Sequence, residues 1–203
     1  EKSKSVKEIS SRVGDTYQLV ENMLDWLRSH SGSIKLKPIE WALKPIVQQC
    51  IHTLKQRADL KRIRLVIDIE ESMVVFADKD MLELIVRNLL FNAVKYTDTE
   101  GLILIRAFSQ EHMVTVSVRD SGSGVDPNVA KTLFREVQHG SAPGTDGMRG
   151  SGLGLYLCGR FVRLNGGDIW FESVYGEGST FFFTIPARRA AVPPLQWKGV
   201  ETI

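Results

Sequence analysis

This sequence has few of the features that mark secreted or membrane-spanning proteins. It holds only two cysteines in 203 residues, Cys50 and Cys158, which lie far apart within helical patterns and are typical of reduced core residues. No apolar run approaches the roughly 18 residues of a membrane span. The polar opening EKSKSVKEIS is not a signal peptide. We therefore expect a cytoplasmic chain, or the cytoplasmic part of a membrane-anchored one.

The chain also lacks a large excess of charge of either sign. Its formal net charge is +2, which argues neither for nor against nucleic acid or a membrane as a partner. Hydrophobic residues make up 43% and charged residues 25%, which is ordinary for a globular protein. The length allows one medium domain with an appendage.

The sequence lacks an initial methionine, and a helical pattern is already present at Val6. Apolar residues recur at steps of three and four over residues 4–30, a pattern that favours a helical hairpin or a dimeric bundle. The alternative is a helix that packs on its own domain. We expect residues 1–34 to be a bundle-forming helix in a fragment whose upstream part is missing.

Residues 35–186 interleave helical and extended patterns. Helical periodicity marks three segments: 43–60, 80–97 and 152–164. An Asp-Pro signal starts a shorter predicted helix over residues 126–137. Alternation of apolar residues marks six strands: 63–70, 73–77, 102–108, 113–120, 168–174 and 179–186, the last two forming a hairpin. The order predicts an α+β domain, a two-layer sandwich with helices on one face of a mixed sheet. Residues 138–150 read as a loop, and residues 187–203 as a tail or linker.

A run of closely spaced glycines leads directly into the last predicted helix, in RGSGLGLYLCGRF at residues 149–161. The first turn of a helix presents unpaired N–H groups and a partial positive charge. Glycines before it let a bulky anion approach the backbone closely, and phosphate is the commonest such anion. The alternative is an ordinary helix that follows a flexible loop.

A second stretch, NLLFNAVKYT at residues 88–97, carries polar residues at helical spacing. Asn88, Asn92 and Lys95 lie at steps of four and three, so they are near one another on a helix. An Asn carbonyl is a hard oxygen ligand that suits Mg²⁺, and a lysine one turn away neutralises phosphate charge. Tyr96 offers a ring for stacking. The alternative, a solvated polar face, fits two asparagines among Leu and Phe less well.

Two further stretches place glycines at strand ends. DSGSGVDP, residues 120–127, follows a predicted strand, and its Asp120 can accept a hydrogen bond from an exocyclic amine, which favours adenine over guanine. YGEGSTFFF, residues 175–183, leads into a strand. Taken alone, the first is equally a turn built from Asp and Gly, and the second is also a hairpin turn.

In this order and separation, the four stretches together are specific enough to point to one protein family. The chain resembles the catalytic ATP-binding domain of bacterial sensor histidine kinases, within the gyrase, Hsp90, histidine kinase and MutL superfamily. NLLFNAVKYT is similar to the N box, DSGSG to the D-x-G-x-G box, RGSGLGL to the second glycine box and GEGSTF to the third. The resemblance covers residues 35–186 and implies a Bergerat-type mixed sheet. The helix at 4–30 resembles the second helix of the dimerisation and phosphoacceptor hairpin.

The resemblance implies ATP and Mg²⁺ as ligands and gives each motif residue a role. Asn92 would coordinate Mg²⁺, Asn88 would support the metal and the triphosphate, and Asp120 would bond the adenine amine. The other implied contacts are with phosphate or the base, or shape the pocket: Lys95, Tyr96, Gly122, Gly124, Gly150, Gly152, Leu153, Gly154 and, closing the adenine side, Thr180.

Two departures from known patterns bear on the mechanism. Hydrolytic members of the superfamily carry Glu four residues before the metal-binding Asn. Asn88 stands there in this chain and cannot act as a general base, so we expect phosphoryl transfer with slow hydrolysis. The phenylalanine box reads LFREVQHG: Phe134 is present, but Val137 and His139 replace the second Phe and the Arg, which predicts a looser lid. Arg149 can still reach the γ-phosphate.

No histidine of this chain stands in the phosphoacceptor pattern of the family, a His followed by an acidic residue and an Arg-Thr-Pro run. We therefore expect the acceptor on the missing first hairpin helix, and a fragment that binds ATP without autophosphorylating. The resemblance also implies a response regulator receiver domain as partner and a homodimer through the hairpin. It implies no nucleic acid, and membrane contact only through upstream segments.

Two other interpretations stay open. One is a non-catalytic or nucleotide-binding pseudokinase that regulates another kinase through bundle pairing, for which the altered phenylalanine box leaves room. The other is a superfamily ATPase or a serine kinase of the anti-sigma type. Asn88 opposes the ATPase, and the predicted bundle helix opposes the anti-sigma kinase.

Overall fold

The structure is a computed structural model that describes residues 36–131, 133–134, 144–145 and 153–187. The helices in these ranges are α1 (Leu43–Leu60), α2 (Lys79–Tyr96), α3 (Pro127–Ala130) and α4 (Gly154–Leu164). The strands are β1 (Ile39–Ala42), β2 (Arg64–Asp68), β3 (Val74–Ala77), β4 (Leu102–Gln110), β5 (Met113–Asp120), β6 (Ile169–Val174) and β7 (Gly178–Pro186). The predicted bundle helix at 4–30 and the tail from residue 188 onward lie outside the described residues.

A five-stranded mixed sheet forms one layer, in the order β2-β4-β5-β7-β6. β2 runs parallel to β4, and the other neighbours are antiparallel. The predicted hairpin is confirmed as β6–β7. The described part of the chain also contains a two-stranded antiparallel ribbon of β1 and β3, with Ile39 opposite Ala77.

The pleat of the strands separates an inner face from an outer face of the sheet. Ile105, Val118 and Phe181 lie opposite one another across β4, β5 and β7, and all three are buried. Helix α2 packs over β5, α4 packs over β6 and β7, and α1 packs against α2. The outer face is more exposed to solvent, and the large side chains of Phe108 and Trp170 are exposed there. This arrangement confirms the predicted two-layer α+β sandwich with helices on one face.

The sequence itself defines the start of α2. The Asp78 carboxylate accepts a hydrogen bond from the Met81 N–H at 3.3 Å, as an N-cap residue does. The Asp78 N–H donates to Asn165 Oδ1 at 2.8 Å, and the Asn165 amide donates to the Phe161 carbonyl at 2.8 Å. A single buried Asn therefore ties the start of α2 to the end of α4. Buried apolar residues at helical spacing then fix the inner stripe of α2: Leu82, Ile85 and Leu89.

Most element bounds differ from the prediction by one or two residues, as in β2, which spans Arg64–Asp68 and not 63–70. The sequence predicts no strand at β1, because its four residues are mostly exposed and only pairing with β3 makes them a strand. β4 extends two residues further, to Gln110. The helix after Pro127 has only four residues. None of the helices within the described ranges combines the length and the apolar character needed to cross a bilayer.

Candidate functional site

Helix α2 forms the centre of the candidate site. Asn88, Asn92 and Lys95 follow one another at steps of four and three residues and share one face of the helix. Asn88 and Lys95 are buried, whereas Asn92 is half-buried. Buried polar side chains need hydrogen-bond partners, and Asn88 and Lys95 find theirs within α2, at the Leu84 carbonyl and the Tyr96 hydroxyl.

Asn88 faces the beginning of α4. Its amide Nδ2 donates to the Leu84 carbonyl at 3.1 Å. A Cβ placed on Gly154, the first residue of α4, would lie 2.6 Å from Asn88 Oδ1. Gly154 therefore lets the N-terminus of α4 approach the N-box helix closely. The structure brings two predicted motifs together here, Asn88 from the N box and Leu153–Gly154 from the second glycine box.

Lys95 and Tyr96 form a second polar group at the end of α2. Lys95 Nζ donates to the Tyr96 hydroxyl at 3.0 Å and lies 4.6 Å from the centre of the Tyr96 ring. The Tyr96 carbonyl accepts from the Ser123 N–H at 3.2 Å. The end of the N-box helix is thus bonded directly to the DSGSG loop.

Asp120 ends the central strand of the sheet on its inner, helix-covered face. The pairing register places it opposite Ile103 of β4 and Ser179 of β7. The N–H groups of Gly122 and Ser179 both donate to Asp120 Oδ1, at 2.9 and 3.3 Å. The second carboxylate oxygen, Oδ2, has no hydrogen-bond partner among the residues that the structure describes.

Burial of the Asp120 carboxyl disfavours its charged form and raises its pKa from 3.8 to about 6. The two backbone hydrogen bonds, from Gly122 and Ser179, favour the charged form and offset part of this effect. Asp120 therefore remains an ionised acceptor above pH 6 in a largely desolvated position.

Close backbone approach explains the glycines around Asp120. A Cβ on Gly122 would lie 2.3 Å from the Tyr96 carbonyl oxygen. Gly124 has a φ of +71°, and a Cβ there would lie 2.4 Å from the Val174 carbonyl oxygen. The Gly176 N–H donates to the Ser123 carbonyl at 2.8 Å. The DSGSG loop therefore packs between the end of α2 and the β6–β7 turn.

The register of β7 does not bring Thr180 to Asp120. Thr180 lies opposite Arg119 and Glu172, and the strand pleat places it on the outer face of the sheet. Its neighbour Ser179 is buried on the inner face and contacts Asp120 through its backbone. Sequence reasoning missed Ser179, which pairs with Asp120, the last residue of the neighbouring strand β5. A shift of one residue in the register of β7 would have put Thr180 there instead.

Of the phenylalanine box, the structure describes Phe134. The Phe134 ring packs edge-on against the rings of Phe171 and Phe181, at 5.9 and 6.2 Å between centroids. A Cβ on Gly159 of α4 would lie 3.0 Å from the Phe134 carbonyl oxygen, so this glycine makes room for Phe134. Val137, His139, Arg149, Gly150 and Gly152 lie outside the described residues, so the expected looser lid stays a prediction.

The described residues suit a metal ion whose coordination shell is filled mainly by phosphate and water, with few protein ligands. Among them no three His, Cys, Asp or Glu side chains cluster as a metal site. Within the same ranges the half-buried Asn92 amide has no hydrogen-bond partner, so its oxygen is available as a ligand. Mg²⁺ binds proteins through one or two oxygen ligands when phosphate and water complete its shell. Asn92 therefore fits as the single protein ligand predicted from the sequence.

Comparisons with known proteins agree with this geometry. Residues 77–189 match the family of histidine kinase-, DNA gyrase B- and HSP90-like ATPases. The chain is 32% identical over 185 residues to the adaptive-response sensory kinase SasA of Synechococcus elongatus, a match that covers 90% of this chain and 47% of the relative. The chain thus spans about half of that relative's length.

Solved structures have the same fold. The nucleotide-free catalytic domain of the histidine kinase ThkA superposes with a TM-score of 0.66 at 25% identity, covering 75% of this chain and 99% of that one. Full-length ShkA in complex with AMPPNP gives a TM-score of 0.73 at 28% identity, covering 94% of this chain and 40% of that one. With the motifs gathered around α2 and Asp120, these matches show that the chain belongs to the family of histidine kinase-, DNA gyrase B- and HSP90-like ATPases and contains a histidine kinase catalytic domain.

Proposed function

We propose that this chain is the ATP-binding catalytic core of a sensor histidine kinase. It would transfer the γ-phosphoryl group of ATP to a histidine for relay to an aspartate of a response regulator. The observation that carries the proposal is Asp120, a buried carboxylate with one oxygen bonded to two backbone N–H groups and the other without a partner among the described residues. Such an acceptor fits the exocyclic amine of adenine. ShkA, which has this fold, is known in a complex with AMPPNP.

The base and the phosphates would occupy opposite ends of the α2 face. Asp120 would accept the hydrogen bond from the adenine amine, and Gly122 and Gly124 shape the loop beside it. The Tyr96 ring would flank the base. At the other end, the first turn of α4 from Gly154 offers unpaired backbone N–H groups and the positive end of the helix dipole to phosphate oxygens. Gly150, Gly152 and Leu153 would extend this contact.

Bound Mg²⁺ would neutralise part of the phosphate charge of ATP. Asn92 would hold it, and Asn88, one turn earlier and against Gly154, would support the metal and the triphosphate. Lys95 and Arg149 would neutralise phosphate charge. Because an amide cannot abstract a proton from water, Asn88 favours phosphoryl transfer over hydrolysis, with catalysis by positioning and electrostatics.

The phosphoacceptor would be a histidine outside this chain. His52 and His112 are exposed, and neither is followed by the acidic residue that the family pattern requires. We expect no acid-labile, base-stable phosphate on this chain after incubation with labelled ATP, and its appearance would contradict this assignment. A response regulator would be the final acceptor: ThkA is known in a complex with the response regulator protein TrrA. Homodimerisation through a helical hairpin including residues 4–30 belongs to the same proposal.

Calorimetric titration with AMPPNP, with and without Mg²⁺, tests this function. The wild-type chain should bind the nucleotide more tightly with Mg²⁺, and Asn92→Ala should lose about tenfold in affinity only when Mg²⁺ is present. Asn128→Ala is the matched control, because Asn128 is exposed on α3 and its side chain bonds, among the described residues, only to Asp126. Absence of binding by the wild type at millimolar nucleotide would overturn the proposal in favour of a non-catalytic regulatory module.

A further inference from the structure

The C-terminal end of α2 is held by a lysine that belongs to none of the sequence motifs. Lys61 immediately follows α1, and its Nζ donates to the carbonyls of Val94, Lys95 and Thr97 at 2.8, 3.1 and 3.2 Å. The last carbonyls of a helix have no partner within the helix and carry its partial negative charge. A cation in contact with them is therefore a C-terminal cap.

The same ammonium also contacts a second segment. Lys61 Nζ lies 2.7 Å from Thr145 Oγ1. Thr145 itself donates to α2, with its N–H to the Lys95 carbonyl at 3.1 Å and its hydroxyl to the Thr97 carbonyl at 3.0 Å. Lys61 thus joins the end of α1, the end of α2 and residues 144–145 at one point.

Among the carbonyls of residues 94–97, that of Tyr96 is the one that Lys61 does not contact. It accepts instead from the Ser123 N–H of the DSGSG loop. Three groups therefore bind the end of the N-box helix: Ser123 of the DSGSG loop, Lys61, and Thr145, which shares the Lys95 and Thr97 carbonyls with Lys61. The loop that carries Asp120 takes the Tyr96 carbonyl, and Lys61 takes the carbonyls on either side. Any fraying of this last turn would displace the Lys95 and Tyr96 side chains and the anchor of the loop together.

We propose that Lys61 is a positioning residue for the nucleotide site. Its ammonium fixes the last turn of α2, so that Lys95, Tyr96 and the DSGSG loop keep the geometry that binds nucleotide. Lys61 acts through backbone carbonyls and does not itself touch the nucleotide. This inference rests on the proposed nucleotide site, and it adds a residue that neither the glycine boxes nor the N box contains.

The test measures the affinity of the whole chain for ADP with Mg²⁺. Lys61→Met keeps the aliphatic stem and removes the charge, and it should weaken binding about tenfold, the scale of a lost charged hydrogen bond. Lys55→Met is the matched control on α1, because Lys55 is exposed there, and its affinity should equal that of the wild type. If Lys61→Met does not fold, Lys61→Gln, which keeps one amide donor group, replaces it.

Chemical rescue separates positioning from general destabilisation. Lys61→Cys is titrated before and after alkylation with bromoethylamine, which rebuilds a lysine-length ammonium at residue 61. Cys50 and Cys158 are buried, and burial raises the pKa of both thiols, so neither should react in the folded chain. Affinity should return to within about threefold of the wild type.

Each outcome decides the proposal. Unchanged affinity in Lys61→Met, or weakened affinity that alkylation of Lys61→Cys does not restore, would overturn it. A wild-type chain that binds no ADP would overturn the proposed function instead, so the two failures are distinguishable. Weakened binding that is restored by the new ammonium supports Lys61 as a positioning residue.

Discussion

Asp120, the proposed adenine acceptor, lowers the stability of the folded chain when it is ionised. Its carboxyl has a pKa of about 6 in the folded chain against 3.8 ordinarily, so the folded state holds the proton more tightly than the unfolded chain. The stability from this proton is fully present below pH 3.8 and is lost as the pH rises through about 6. Above that pH the folded protein holds a buried carboxylate charge, which the backbone hydrogen bonds from Gly122 and Ser179 offset only in part.

Asp120→Asn should therefore stabilise the ligand-free chain at pH 8, by about 2 to 3 kcal/mol at 1.36 kcal/mol per pKa unit. The Asn carbonyl can still accept from the N–H groups of Gly122 and Ser179, and no buried charge remains. Near pH 4 the variant and the wild type should be equally stable. Urea unfolding across this pH range measures the difference.

Asp98→Asn controls for the loss of a carboxylate from the surface, because Asp98 is exposed beyond the end of α2. Its stability difference from the wild type should be small at every pH. A stability gain in Asp120→Asn that is the same at pH 4 and pH 8, or a loss at pH 8, would contradict the burial of an ionised Asp120.

Between elements, the close approach of α4 to α2 depends on Gly154, which has no side chain. A methyl group at residue 154 would meet Asn88 Oδ1 at 2.6 Å, well inside contact distance. Gly154→Ala should therefore destabilise the fold by about 1 to 3 kcal/mol, the cost of overpacking. Thermal unfolding is the measurement.

A double-mutant cycle identifies the cause of that loss. Asn88→Ala removes the amide that the new methyl group would meet, so Gly154→Ala should cost much less stability in the Asn88→Ala background. Equal costs in the two backgrounds would show that Asn88 does not set the spacing of these helices.

Element bounds were predictable where local sequence decides them. Helix α1 begins and ends where its periodicity places it, at Leu43 and Leu60, with Pro45 in the first turn, where a missing N–H is tolerated. β1 was missed because pairing with a distant strand, β3, defines it. Lys61 was missed for a similar reason, since its role depends on carbonyls more than thirty residues away.

For the whole molecule, the family resemblance that the four motifs carry predicted which segments meet. The N box, the DSGSG loop, the GEGST turn and the start of α4 lie together, as the resemblance implied. The side of the sheet on which a residue lies was harder to predict, because a shift of one position exchanges Ser179 for Thr180. Arg149, Gly150 and Gly152 keep their roles as predictions.

Nucleotide selectivity is the sharpest test of the proposed adenine site at Asp120. Guanine carries a carbonyl oxygen where adenine carries the exocyclic amine, so it would face the carboxylate with a second acceptor. Titration with Mg²⁺ should show ADP binding at least about 100-fold more tightly than GDP, and Asp120→Asn should lose that preference. Equal affinity of the wild type for ADP and GDP, or unchanged ADP binding by Asp120→Asn, would show that Asp120 does not recognise the adenine amine.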